Sequence, residues 1–206
     1  MSVENLLFEI ADALRLPVLV LAVVALVVVV IEAGMLLAEL RGRRRRDVAR
    51  IERVVDTART QIAQEDRAGA LAAVRMLGCN PAMTEALSAA VEQHGHPDAR
   101  DRIAKRLAEY DLRSQRRLER TRILVRMGPA LGLMGTLIPL SPALGGLAGG
   151  DVTQLTDNLR VAFSVTVAGL LVGAVAFSIS LVRDRLYAQD YSDVEYVTAC
   201  LDRAPA

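Results

Sequence analysis

The chain is poor in the side chains from which soluble enzymes assemble their chemistry. It holds two cysteines and two histidines in 206 residues. Cys79 and Cys200 lack metal-ligand spacing and both fall in segments expected on the cytoplasmic side, which argues against a disulfide framework and leaves them as ordinary thiols. His94 and His96 share one turn with no further His or Cys nearby, too few ligands for a zinc site. No Ser-His-Asp arrangement, phosphate-binding glycine loop or H-E-x-x-H pattern is present, so neither an enzyme nor a cofactor is expected.

What the chain does have is concentrated apolar sequence. Residues 16–31 are uncharged and the apolar character resumes after Glu32 as far as residue 38; residues 127–150 and 161–182 carry no charge at all. A bilayer core of about 30 Å takes about 20 helical residues, so the second and third blocks span it comfortably, and the first does so if Glu32 sits near an interface or inside protein.

The net charge of +1 hides an asymmetry, because 20 of the 25 basic residues lie between positions 41 and 126. Arg183 and Arg185 follow the third block directly. Cytoplasmic flanks are enriched in Lys and Arg, which puts residues 41–122 and 183–206 inside. Glu4, Glu9 and Asp12 then lie outside with Arg15, and so do Asp151 and Asp157. A cleaved signal peptide is not expected, since the charges before the first block have the wrong sign. The expected fold is an all-α polytopic membrane protein with a helical cytoplasmic domain. Its parts are an extracytoplasmic N-terminus (1–15), spans at 16–40, 123–148 and 159–182, a cytoplasmic helical domain (41–122), an outer loop (149–158) and a cytoplasmic C-terminal tail (183–206).

Within residues 41–122, Ile51, Val54, Val55, Ala58 and Ile62 recur at helical spacing and predict an amphipathic helix from 47 to about 68. A second helix is expected over 70–77, ending at Gly78-Cys79-Asn80-Pro81, and a third from Pro81 to about 93. After the turn His94-Gly95-His96-Pro97, Asp98 is the expected N-cap of a helix that meets no glycine or proline before Gly128 and runs into the second span. The arginine run Arg41, Arg43, Arg44, Arg45 and Arg46 follows a span directly. There it fixes orientation and meets anionic lipid headgroups, which is favoured over nucleic-acid binding.

The third span sets Ala162, Thr166, Gly169, Gly173, Ala176 and Ser180 on one helical face, with Gly169 and Gly173 as a small-xxx-small pair that should meet another helix closely. Two readings stay open there: simple packing, or presentation of Thr166, with Ser164 nearby, to a pore or partner helix. In the second span Gly128, Gly132 and Thr136 are spaced i, i+4, i+8, and Pro129 and Pro139 each remove a backbone donor. Pro139-Leu140-Ser141-Pro142 is expected to mark a bend or the outward helix end, and Gly145-Gly146 with Gly149-Gly150 an outer turn.

Pro129-Ala130-Leu131-Gly132-Leu133-Met134-Gly135-Thr136 and Val165-Thr166-Val167-Ala168-Gly169-Leu170 resemble the paired motifs of the MotA/TolQ/ExbB proton channel family. Three spans, an outside N-terminus and a large basic loop are closest to its ExbB/TolQ branch. The resemblance implies a homopentamer around a single-span subunit similar to ExbD, TolR or MotB that carries an intramembrane Asp, in the inner membrane of a prokaryote. It assigns a pore-lining role to Thr136 and Thr166, with Ser164 nearby, and leaves Pro129, Gly132, Gly135, Gly169 and Gly173 to helix packing. Such a complex couples the proton motive force to mechanical work or transport.

One departure stands out. Where the family usually has a glutamate five residues before the third-span threonine, this chain has Val161, preceded by Arg160. Neither the second nor the third span contains a carboxylate, so the proton carrier is expected on the partner. Glu32 is the only acidic residue inside an apolar block; it reads as a relay or intersubunit group, or as an interfacial residue paired with a base. Arg160 reads as an electrostatic gate at the outer mouth or as a snorkelling interfacial arginine. A non-conducting oligomeric scaffold is the competing reading of the whole chain.

Overall fold

The computed structural model describes residues 3–43 and 47–202. Arg44, Arg45 and Arg46 of the arginine run, the side chain of Glu4, and residues 203–206 of the C-terminal segment lie outside the described residues. The described elements are helices throughout: α1 (Val3–Ala13), α2 (Arg15–Gly42), α3 (Val48–Ala63), α4 (Arg67–Arg75), α5 (Pro81–Glu92), α6 (Ala99–Ala148) and α7 (Val152–Asp202). Three helical stretches, Leu6–Arg41, Ala99–Ala148 and Val152–Asp202, are long and apolar enough to cross a membrane. The chain divides into two compact units, one drawn from Met1–Leu36 and Glu119–Leu181, the other from Leu37–Leu118 and Val182–Ala206.

In the first unit α2 buries one narrow seam: Val18, Ala22, Ala25, Val29, Glu32 and Leu36, at alternating spacings of four and three. This is the period of helices packed knobs-into-holes. The other faces of α2, including Val20, Val23, Val27 and Val30, are bare, as suits a helix in contact with acyl chains. α7 buries Asn158, Ala162, Val165, Val172, Ala176 and Ile179 at the same rhythm. At one end of the unit the Arg15 guanidinium donates to Asn158 Oδ1 at 2.9 Å.

α6 does not stop where the prolines suggest. It passes through Pro129, Pro139 and Pro142 and includes Gly145 and Gly146, so of the two readings of Pro139–Pro142, a bend or the helix end, the helix end is corrected, and so is the turn at Gly145-Gly146. Proline removes one donor but is tolerated in a helix with neighbours. The turn comes at Gly149-Gly150, where Gly150 takes φ +80° and Asp151 Oδ1 accepts from the Gln154 amide at 3.0 Å.

The second unit has its own core, including Ile51, Val55, Val74, Leu87 and Val91 of α3–α5 with Tyr110, Val194, Val197 and Leu201. Each short helix starts at a side-chain cap. Asp47 accepts from the Ala49 amide, Asp66 from Gly69 and Asn80 from Met83, each satisfying an orphan donor of the first turn. Asp66 also explains a correction. The helix expected to reach residue 68 ends at Ala63 because Glu65 takes φ +61° and the next helix starts from the Asp66 cap, at Arg67 rather than residue 70. α6 begins at Ala99, as the Asp98 signal predicts. Residues 183–202, expected as a tail, are a continuation of α7 that supplies core side chains.

Leu87 is wholly buried among these helices. Leu87→Ala should therefore cost about 2–5 kcal/mol through lost transfer energy and a residual cavity, read as a fall in the chemical denaturation midpoint of the detergent-solubilised chain.

Candidate functional site

Small residues let α6 and α7 approach at backbone distance. A Cβ on Gly169 would lie 2.5 Å from the Gly128 carbonyl oxygen and 2.8 Å from Gly132 Cα, and one on Gly128 would lie 2.8 Å from the Gly173 amide nitrogen. No side chain fits in that space. Gly173 faces the Pro129 ring, and Gly135 faces Val165. The contacting positions rise along α6 as they fall along α7, so the two helices are antiparallel, as their three-residue connection requires. Pro129 leaves the Val125 carbonyl without its helical donor.

The hydroxyls are committed to backbone. Thr166 Oγ1 donates to the Ala162 carbonyl at 3.0 Å and also lies 3.3 Å from the Gly132 carbonyl across the seam. Thr136 Oγ1 donates to Leu133 O at 2.7 Å, and Ser164 Oγ to Arg160 O at 2.8 Å. Thr166 reaches the carbonyl of Gly132, which lies one helical turn before Thr136 on α6, and both threonines are half-buried. Ser164 is two residues from Thr166 and so points the opposite way; it and Arg160 are exposed. Glu32 lies on α2, buried to 7% exposure on that helix's seam. The structure thus brings together Thr136, Thr166, Gly132 and Gly169, and sets Ser164 and Arg160 apart from them.

A hydroxyl has one proton and two lone pairs. With the protons of Thr136 and Thr166 directed at carbonyls, what these side chains present is acceptor capacity, suited to water or a hydrated cation. They have no proton to release at physiological pH.

Sequence reasoning missed a second polar constellation, in the other unit. Arg43 grips Asp190 with two guanidinium nitrogens at 2.7 Å each. Tyr110 Oη donates to Asp190 Oδ2 at 3.2 Å, and Asn80 Nδ2 approaches the same oxygen at 3.4 Å. One turn away along α2, Glu39 pairs with Arg183 at 3.6 Å and Arg117 at 3.9 Å. Arg43, expected to act as one member of a lipid-facing run, is instead spent on a buried carboxylate. Burial pushes the Asp190 carboxyl up while Arg43 pulls it back. Burial and the nearby Asp190 charge hold the Tyr110 phenol up to about 12, so it remains a donor. No local motif marks this cluster, since its other members lie 80 to 147 residues from Asp190.

A model of the MotA/TolQ/ExbB proton channel family matches residues 76–193, more than half of the chain. The chain belongs to the MotA/TolQ/ExbB proton channel family. The match takes in both threonines, the whole glycine seam and Asp190, and stops short of α2 with Glu32 and Arg43. Searches of curated proteins and of solved structures returned no match. Family and apolar helices together make this a membrane protein with transmembrane helices of the proton-channel type.

If the seam requires glycine, a branched side chain at Gly169 must force α6 and α7 apart. Gly169→Val is expected to destabilise the detergent-solubilised chain by about 1–3 kcal/mol or more, read as a lower thermal midpoint. Gly34→Ala, where an added Cβ meets nothing within 4 Å, should leave the midpoint unchanged or raised.

Proposed function

We propose that this chain is the proton-conducting subunit of an ExbB/TolQ-like motor complex, a homopentamer enclosing a single-span ExbD-, TolR- or MotB-like subunit. Its spans are 16–40, 123–148 and 159–182. Residues 1–15 and 149–158 lie outside the inner membrane of a prokaryote, and residues 41–122 and 183–206 lie in the cytoplasm. Lipids contact the bare faces of the spans, and nucleic acid has no part.

One observation carries the reading: Thr136 and Thr166 stand about one helical turn apart on a glycine-sealed helix pair, each donating its hydroxyl proton to a backbone carbonyl and leaving its oxygen as an acceptor. They are a polar step along a pathway, not a proton store. The stored proton belongs on an aspartate of the partner, because α6 and α7 hold no carboxylate between residues 120 and 183 apart from the outer loop residues Asp151 and Asp157. One charge crossing 100 mV releases about 2.3 kcal/mol, so a few protons suffice for a conformational step of several kcal/mol.

That same lack of carboxylates is the observation that favours the second reading, a non-conducting scaffold. Reconstitution separates the two. The chain alone should conduct little, co-expression with its partner should open a proton flux into vesicles, and Thr136→Val with Thr166→Val should lower that flux about tenfold by removing the acceptors. Equal flux in the double variant removes the threonine assignment, and no flux with any co-purifying single-span subunit leaves the scaffold.

A further inference from the structure

The seam of α2 is repetitive, and a repetitive seam does not choose its own register. Small aliphatic side chains recur on α2 and on α7 at the same alternation of four and three. Sliding one helix by seven residues sets equivalent side chains against each other again, so apolar burial separates such registers weakly. The three-residue connection of α6 and α7 settles their register. No short connection ties α2 to α7.

Polar ties supply what the seam lacks. In the first unit Arg15 meets Asn158, 143 residues on. In the second, Arg43 reaches the Leu186 carbonyl at 3.4 Å, also 143 residues on, and forms its two-pronged pair with Asp190. The Arg43 and Asp190 side chains are only 12% and 7% exposed, and Tyr110 and Asn80 complete the carboxylate's shell. Any slip of α2 would strand both charges in the protein interior, a strongly unfavourable outcome for a buried pair. α2 runs from Arg15 to Gly42 and α7 from Val152 to Asp202, each as a single helix.

We propose that Arg43 and Asp190 are positioning residues, whose pair selects one register of α2 against α7. Within the first unit the same offset of 143 residues, shown by Arg15 and Asn158, sets Val29 opposite Val172 when followed along the seams. It sets Glu32 at the level of Val175 and of its neighbour Ala176, a small and wholly buried side chain. The pair thereby fixes the height at which the seam carboxylate is held among the spans. Its consequence for conduction rests on the proton-channel reading above; the register itself does not.

Disulfide trapping in membranes tests the register. In a full chain with Cys79→Ser and Cys200→Ser, Val29→Cys is combined in turn with Val165→Cys, Val172→Cys and Ile179→Cys, and intramolecular cross-links are mapped by peptide mass. The expected dominant partner is position 172. Arg43→Gln together with Asp190→Asn, which removes both charges and strands neither, should lower the 172 yield at least about threefold and raise 165 or 179. The swapped pair Arg43→Asp with Asp190→Arg should restore it. A dominant partner other than 172, a yield indifferent to the neutral double variant, or a swap no better than that variant overturns the assignment. Proton flux of the co-expressed complex is the second readout and should follow the same order. A shifted register with unchanged flux removes the role in conduction. Absence of flux in every form, the unaltered chain included, removes the channel reading and leaves the register standing.

Discussion

The approach of α6 and α7 at backbone distance is the constraint on which the membrane unit depends. Where a Cβ would sit 2.5 Å from a carbonyl oxygen, the helices are held by dispersion between backbones and by loss of the intervening space, not by interlocking large side chains. In a bilayer this is the available route, because lipid offers apolar side chains the same environment they would find in a protein core. The consequence reaches the hydroxyls. Only with the helices this close does Thr166 come within 3.3 Å of a carbonyl on α6, that of Gly132.

Outside the apolar blocks the chain is held together differently. The second unit has an ordinary aliphatic core and capped helices, with one carboxylate at the meeting point of four segments. Asp190 sits on α7, Arg43 follows the last residue of α2, Tyr110 lies on α6 and Asn80 caps α5. A buried ion pair is weak evidence for stability, since its desolvation offsets much of the attraction. It is better evidence for specificity: aliphatic residues tolerate many alignments, and a charge that must find its counter-charge tolerates one.

How much of this was legible in the sequence follows from the range of each interaction. The three apolar blocks, the helix start at Pro81 and the uninterrupted helix from Ala99 depend on neighbouring residues, so periodicity and turn chemistry reveal them. The small-residue face of the third span was equally plain, because Gly169, Gly173 and Ala176 recur within three turns. The prolines of α6 misled because local rules treat proline as a terminator, whereas packed neighbours let the helix continue through Pro139 and Pro142. Arg43 misled for another reason. Its setting in a basic run after a span points to topology, and only folding across 147 residues supplies Asp190. Ser164 and Thr166 stand on opposite faces of α7, since residues two apart on a helix do not face the same way.

The missing third-span carboxylate and the committed hydroxyls bear on the same question, namely what this subunit contributes to moving a proton. A relay group must gain and lose a proton in each cycle, and intramembrane carboxylates are the usual choice. A threonine whose proton is bonded to its own helix cannot. It can lower the cost of a water or hydronium standing between two apolar walls, an effect of acceptor geometry that persists through the cycle. The division of labour in the proposed complex follows: this chain supplies a fixed polar step in a rigid glycine-sealed wall, and the element that changes charge, and therefore position, belongs to the partner. A wall built on backbone contact suits that task because displacement of α6 against α7 would first have to part glycines that already touch.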